Sequence, residues 1–349
     1  MASSKDLPPW DIPFFPNIFV KNQFCSKPEK PPKTTDLTGK VALITGSNTG
    51  LGFEAAKQML ELRLSHLIIA VRSSAKGEAA AEKLRTQFPK ATIEVMLVDM
   101  SRYDSIQDFA RRVEVQVPRL DIVILNAGIM NLKYNTVPST GHEEIIQINY
   151  LSTILLATLL LPILKSRSPV GTPGRLTIVN AALALTAQLP TTKGHKSLLE
   201  ALDDPKLFPS YSDKQYNASK VLAQMWAYKM LDYVSADDVI VNLVCPGFVK
   251  GTQLGSGDVS IFIKPIMALF AASSARNVSD GASTYLDAAL IKGKESHGSF
   301  CMSWKISPYN SFLYTPEGRE AVEKLWQETM DELEFVGASG IIESMKKKQ

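Results

Sequence analysis

"KVALITGSNTGLG", residues 40–52, runs an unbroken stretch of apolar residues straight into a glycine-rich turn. The apolar part has the form of a strand buried on both faces of a parallel sheet. Gly46, Gly50 and Gly52 let the backbone turn tightly and approach a pyrophosphate, which then rests at the N-terminus of the next helix. Such turns also join strands to helices for purely structural reasons. This one stands between a strand and a helix at the start of the first βαβ unit, where nucleotide binding requires it. Nucleotide binding is the preferred reading.

Outward from this turn, short apolar runs recur: "HLIIAV" (66–71), "TIEVML" (92–97), "LDIVIL" (120–125), "LTIVN" (176–180) and "VIVNLV" (239–244). All have the pattern of strands buried on both faces. Helix-length periodic segments such as Phe53–Leu62, Ala75–Phe88 and Glu143–Lys165 alternate with them. The alternation predicts an α/β fold with a Rossmann-type, doubly wound parallel sheet of about seven strands. We expect a single domain over residues 39–336. An N-terminal arm rich in proline and aromatics (1–38) precedes it and packs along the body; a short C-terminal tail (337–349) follows.

Bulk composition narrows the function. Of 349 residues, 45% are apolar and 21% charged, as in ordinary globular proteins. A net charge of +3 without an aromatic-interleaved basic patch argues against a nucleic-acid partner, and "KKK" at 346–348 reads as a solvated tail. Cys25, Cys245 and Cys301 form neither a CxxC pair nor a disulfide framework, which suits a reducing, cytoplasmic setting. "MASSKDLPPWD" does not resemble a signal peptide. "ILLATLLLPIL" (154–164) is too short to span a bilayer and reads as a buried or interface helix, so no transmembrane segment is expected. No His, Cys or carboxylate cluster has metal-ligand spacing.

The second strand ends "AVRSS", with Arg72 where an NAD-binding protein would present an acid. An arginine there favours a 2′-phosphate, hence NADP(H); the plain alternative is a solvated loop residue. Asp99 in "LVDMS" could accept from an adenine amine or cap the next helix. Asn126, Ala127 and Gly128 in "LNAGIM" form a turn that would pass close to the cofactor. "YNASK" carries Tyr216 and Lys220 at i and i+4, on one helix face. Beside a nicotinamide, the Lys220 ammonium would lower the phenol pKa and let Tyr216 act as general acid or base.

These motifs, with Asn149 in "QINYLSTILLATLLLP" and the loop "CPGFVKGT", resemble in order those of the short-chain dehydrogenase/reductase family over roughly residues 38–292. The aromatic-proline arm, the long stretch before the tyrosine and the tail "YTPEGREAVEKLWQETMDEL" look like its fungal secondary-metabolism branch. The resemblance implies an NAD(P)-dependent enzyme. Tyr216 would be its proton donor, Lys220 its partner and ribose ligand, and Asn149 the residue positioning a water in a proton relay. It implies a phosphate turn of Thr45, Gly46, Ser47, Asn48, Gly50, Leu51 and Gly52, and a nicotinamide-end loop of Pro246, Gly247, Val249 and Thr252.

One family residue is missing. Strand five reads "TIVNAALALTA" (177–187), with Asn180 and Ala181 at the family's serine positions. Loss of one such donor to the substrate oxygen costs about 10²–10³ in rate. The Asn180 amide, the Thr177 or Thr186 hydroxyl, or a polar group on the substrate could replace it. Three readings stay open: a ketoreductase or alcohol dehydrogenase for a bulky apolar metabolite, which is preferred; a non-redox dehydratase, isomerase or cyclase; and a silent nucleotide-binding protein. Gly255 and Gly257 could hinge a lid over 250–280, with Ile261, Ile263, Ile266, Met267, Leu269 and Phe270 lining a pocket, and segment 182–215 opposite. His195 reads as solvated. Helix 143–165 could form a homodimer face, unless the arm covers it.

Overall fold

The computed structural model describes residues 2–131, 133–169, 171–208, 214–250 and 275–346. Thr252, the hinges Gly255 and Gly257, the apolar stretch 255–274 and Lys347–Lys348 lie outside the described residues.

The six apolar runs become β1 (Val41–Thr45), β2 (His66–Val71), β3 (Thr92–Leu97), β4 (Ile122–Leu125), β5 (Gly174–Val179) and β6 (Val239–Cys245). They join β7 (Phe300–Met302) and β8 (Lys305–Ser307) in one sheet of order β3-β2-β1-β4-β5-β6-β7-β8. The pairs from β3 to β7 are parallel; β8 returns antiparallel on β7. The sheet thus has one strand more than expected, because β7 and β8, at three residues each, are too short to stand out in the sequence. β3 also departs from the two-face burial read from it: Thr92, Glu94 and Leu97 are exposed, since β3 is an edge strand.

Alternation along the strands divides the core. Val41 and Leu43 face one apolar layer; Ala42 and Ile44 face the other. The first layer is built with α4 (Tyr103–Gln116), the long helical stretch α5 (Glu144–Arg167) and α7 (Lys214–Met230). The second is built with α2 (Gly50–Glu61), α3 (Ser74–Gln87) and α8 (Val278–Leu286). Connections run outward in opposite directions from β1, leaving a crevice at the carboxyl ends of β1 and β4. That switch point is where open α/β sheets bind ligands.

Helix α5 is longer than its apolar centre implied: 24 residues, long and apolar enough to cross a bilayer by length and composition. It is buried inside the protein instead, with only Leu159 and Pro162 partly open between Ile145 and Leu164. It therefore offers no free dimer face. α4 and α10 (Ala338–Ser344) pack across it. Residues 338–344, expected as tail, are thus a docked helix with Ala338 and Ile342 buried. Before it, α9 (Pro316–Glu332) stacks Trp326 on Tyr233, centroids 4.9 Å apart, and brings Thr329 Oγ1 to 2.6 Å from Tyr150 OH.

Candidate active site

At the end of β1, Gly46 N donates to Ala70 O (2.8 Å) and Ser47 Oγ to Ile44 O (2.7 Å), folding the turn back on its own sheet. Gly52 must lack a side chain: a Cβ would meet Asn126 Nδ2 at 2.7 Å and Gly46 O at 2.8 Å. Helix α2 starts at Gly50 behind Thr49, which makes no side-chain cap hydrogen bond. The first-turn amides are therefore not satisfied by a cap, as an anion site at a helix N-terminus requires. Asn48 is half-buried in this turn, and Leu51 sits beside α8 at Gly281.

Asn126 locks the neighbouring turn to this one. Its Nδ2 donates to Thr45 O (2.9 Å), and its amide and that of Ala127 both donate to Thr45 Oγ1 (2.9 Å). Tyr285 OH in turn donates to Asn126 Oδ1 at 3.0 Å. Gly128 passes so close to the next element that a Cβ there would lie 3.0 Å from Asn149 Oδ1 and 3.8 Å from Lys220 Nζ.

Asn149 lies where α5 widens to a π-helical turn over Gln147–Leu151. Such turns mark places where a helix gives up regular bonding, frequently at functional sites. Its side chain clasps the Ile129 backbone, accepting from N (2.8 Å) and donating to O (2.9 Å), and its Nδ2 reaches Ser219 Oγ at 3.2 Å. Ser219 neighbours Lys220, whose Nζ donates to Val179 O at 3.0 Å and lies 5.5 Å from the centroid of the Tyr216 ring. The Tyr216 hydroxyl makes no hydrogen bond to the described residues. The structure thus gathers the glycine turn, Asn126–Gly128, Asn149, Tyr216 and Lys220 at one end of the sheet.

Burial governs both members of the pair. It pushes the Tyr216 phenol well above its ordinary value of 10.0, and lowers the Lys220 ammonium from 10.5 to about 8. Lys220 is not among the causes that set the direction of the phenol's shift. Burial is the largest cause for both groups.

Arg72 and Asp99 close the adjacent strands β2 and β3. Arg72 is exposed and unpartnered among the described residues, next to the N-terminus of α3 that Ser73 caps. Asp99 Oδ1 accepts from Ser101 N (3.0 Å) and Oγ (2.7 Å), which leaves its second oxygen for a ligand.

The structure engages each protein group considered as a replacement for the missing serine. Asn180 Nδ2 donates to Lys220 O (2.9 Å) and its Oδ1 accepts from Ala181 N (2.8 Å), so the amide is a buried clasp under α7. Thr177 Oγ1 donates to Asn242 Oδ1 (2.8 Å) and Thr186 Oγ1 to Leu183 O (2.8 Å). The two hydroxyl protons are committed, and the Asn180 amide keeps one further N–H beyond the bond to Lys220 O. His195 is also not solvated: its ring is largely buried, with Nε2 3.1 Å from Asp204 Oδ2. Nearby, His142 is held between Asp203 (2.7 Å) and Glu332 (3.2 Å). Burial opposes its charge, but both carboxylates raise its pKa to about 9.

The sequence reading missed Cys245, whose buried Sγ accepts from Ala182 N (3.1 Å) and Gly247 N (3.3 Å), and Arg276, which grips the loop after β6 through Pro246 O (3.1 Å). Cys245 opens the loop motif "CPGFVKGT" but carries no recognised role there, and Arg276 belongs to no motif; only the fold shows both at the site.

The family model described as short chain dehydrogenase matches residues 40–182. Short chain dehydrogenase/reductase mfmJ of Annulohypoxylon moriforme is 59% identical over 346 residues, covering 99% of both chains. The chain belongs to the short-chain dehydrogenase/reductase family. Short chain dehydrogenase virL of Hypocrea virens is 44% identical over 94% of this chain and 95% of that one. These relatives bear out the resemblance to the fungal members of the family. Among solved structures, the NADPH-dependent 3-quinuclidinone reductase of Rhodotorula rubra shares the fold, with TM-score 0.55 and 21% identity over 77% of this chain and 94% of that one. The non-redox and silent readings find no support in these comparisons.

Proposed function

We propose that this family member is an NADP(H)-dependent oxidoreductase that reduces the carbonyl, or oxidises the matching alcohol, of a bulky apolar metabolite in fungal secondary metabolism. The observation that carries this reading is the buried Tyr216–Lys220 pair, tied through Ser219 and Asn149 to the Asn126–Gly128 turn that Asn126 locks to the glycine turn. Three unpaired cysteines support a cytoplasmic setting.

Thr45, Gly46, Ser47, Asn48, Gly50, Leu51 and Gly52 would hold the pyrophosphate at the start of α2. Arg72 would meet the 2′-phosphate, Asp99 an adenine amine, and Asn126–Gly128 the middle of the cofactor. Pro246, Gly247 and Val249 would lie along the nicotinamide end; Thr252 is assigned there from the sequence alone. When bound, the nicotinamide supplies or accepts the hydride. Tyr216 gives its phenolic proton to the substrate oxygen, and a phenol held protonated by burial is suited to that direction. Lys220 has donors beyond the one given to Val179 O, enough for ribose and for reprotonating the phenol. Asn149 positions the water that refills the lysine.

The test is direct. A panel of bulky apolar ketones and aldehydes is incubated with NADPH or NADH, following the reduced-nicotinamide absorbance and product mass. NADPH consumption with a two-hydrogen mass gain, and weaker turnover with NADH, is the expected result. Product formation without cofactor consumption would overturn the reading. Because the Thr177 and Thr186 hydroxyls are committed and Asn180 is buried as a clasp on Lys220 O, Ala181→Ser is expected to raise kcat/KM by about 10-fold or more, toward the full value of an added oxyanion donor. An unchanged kcat/KM in that variant would show that the substrate oxygen already has its donor.

A further inference from the structure

The N-terminal arm reaches the loop that follows β6. Its far end is anchored where Ser4 Oγ accepts from Phe300 N (2.8 Å) and Ser4 N donates to Ser299 Oγ (3.1 Å), and Ile18 is 2% exposed in the core. From this footing α1 (Phe19–Phe24) presents Gln23 to the backbone of Phe248. Gln23 Nε2 donates to Phe248 O at 2.8 Å, and Gln23 Oε1 accepts from Phe248 N at 3.2 Å. The two bonds copy a strand pairing, although the Phe248 ring itself is exposed.

Arg276 completes the grip. Its backbone bridges the loop, N to Phe248 O (2.8 Å) and O from Lys250 N (3.1 Å). Its guanidinium donates to Pro246 O (3.1 Å), Ser303 Oγ (2.8 Å) and Asn22 O, and lies 4.7 Å from the Trp304 ring centroid. On the inner side Val249 rests against Gly281, as does Leu51 of the glycine turn. Residues 246–250 are therefore pinned from the cofactor side by α2 and α8, and from outside by the arm.

We infer that Gln23 is a positioning residue for the nicotinamide end of the cofactor, acting through the Pro246–Lys250 loop. The inference rests on the NADP(H) reading above. A loop held in its binding conformation binds at full affinity; one released samples others, and the apparent dissociation constant rises by the inverse of the competent fraction. Two polar contacts at a partly exposed position support a change of about tenfold.

The experiment compares NADPH with 2′,5′-ADP, which keeps the adenosine and 2′-phosphate but lacks the nicotinamide half. In Gln23→Ala the Kd for NADPH is expected to rise about tenfold while that for 2′,5′-ADP stays within twofold. Gln23→Glu, which loses the donor to Phe248 O, should behave the same way if the alanine variant folds poorly. Lys21→Ala, on the same short helix but turned to Trp10, should leave both constants unchanged. Unchanged NADPH affinity in the Gln23 variants overturns the inference. So does a parallel loss of both ligands, which would mean general damage. Wild-type protein that binds neither ligand overturns the NADP(H) reading and this inference with it.

Discussion

Lys220→Met is expected to lower turnover by about 10²–10³, yet to leave the cofactor-free protein as stable as wild type, or more so, below pH 8. The two effects have opposite signs because they come from the same burial. A buried ammonium beside the phenol stabilises charge developing during proton transfer, and its loss removes that stabilisation. Without cofactor the same charge is a cost: the fall from 10.5 to about 8 corresponds to about 3 kcal/mol by the value of one pKa unit. Against this stands the Val179 carbonyl, which loses a donor at a cost of about 1–3 kcal/mol. The net lies between neutrality and a gain of about 2 kcal/mol.

The pH dependence identifies the cause. Between pH 8 and 10.5 the unfolded chain holds a proton on Lys220 that the folded protein has released, so wild-type stability rises with pH across this window. The advantage of the methionine variant is therefore largest below pH 8 and gone by 10.5. Denaturation midpoints of the cofactor-free proteins at several pH values measure it directly. A variant equally destabilised at every pH would show that Lys220 is a structural residue first.

How far the sequence discloses this site depends on what kind of feature is read. The sheet was legible because β1, β2, β4, β5 and β6 are consecutive apolar residues, a pattern that burial on both faces produces. β3 carries the same apolar look, yet its edge position exposes Glu94 and Leu97, and no local pattern reports a neighbour's absence. Tyr216 and Lys220 were legible because an i, i+4 spacing fixes a shared face before any tertiary structure is known. Asn180 was not. Its residue type is equally suited to donating into a site and to clasping a helix, and only the packing of α7 over β5 shows it spent on Lys220 O. Gln23 and Phe248 are 225 positions apart, and nothing near either residue announces the contact. Sequence spacing thus reports what one element presents; what a distant element takes up appears only in the fold.

Tyr216→Phe is expected to reduce turnover by about 10²–10⁴, the usual contribution of a positioned general acid, while NADPH affinity and folding stability change little. The hydroxyl makes no hydrogen bond to the described residues, so its removal leaves no donor or acceptor among them stranded. The ring under Lys220 Nζ remains. Burial keeps the phenol protonated well above its ordinary pKa of 10.0, so Tyr216 itself does not titrate in the working range. The basic limb of carbonyl reduction should then come from Lys220, with activity falling as pH rises through about 8 in wild type. Residual turnover in Tyr216→Phe, where a solvent proton must reach the substrate oxygen instead, should fall as hydroxide replaces acid and show no separate inflection from the lysine. A wild-type profile flat across pH 8 would show that Lys220 keeps its charge when cofactor is bound, because ribose and phosphate oxygens offset the burial that lowers it in the cofactor-free site. A Tyr216→Phe variant with undiminished turnover would remove the phenol from the reaction altogether and return the proton to another donor.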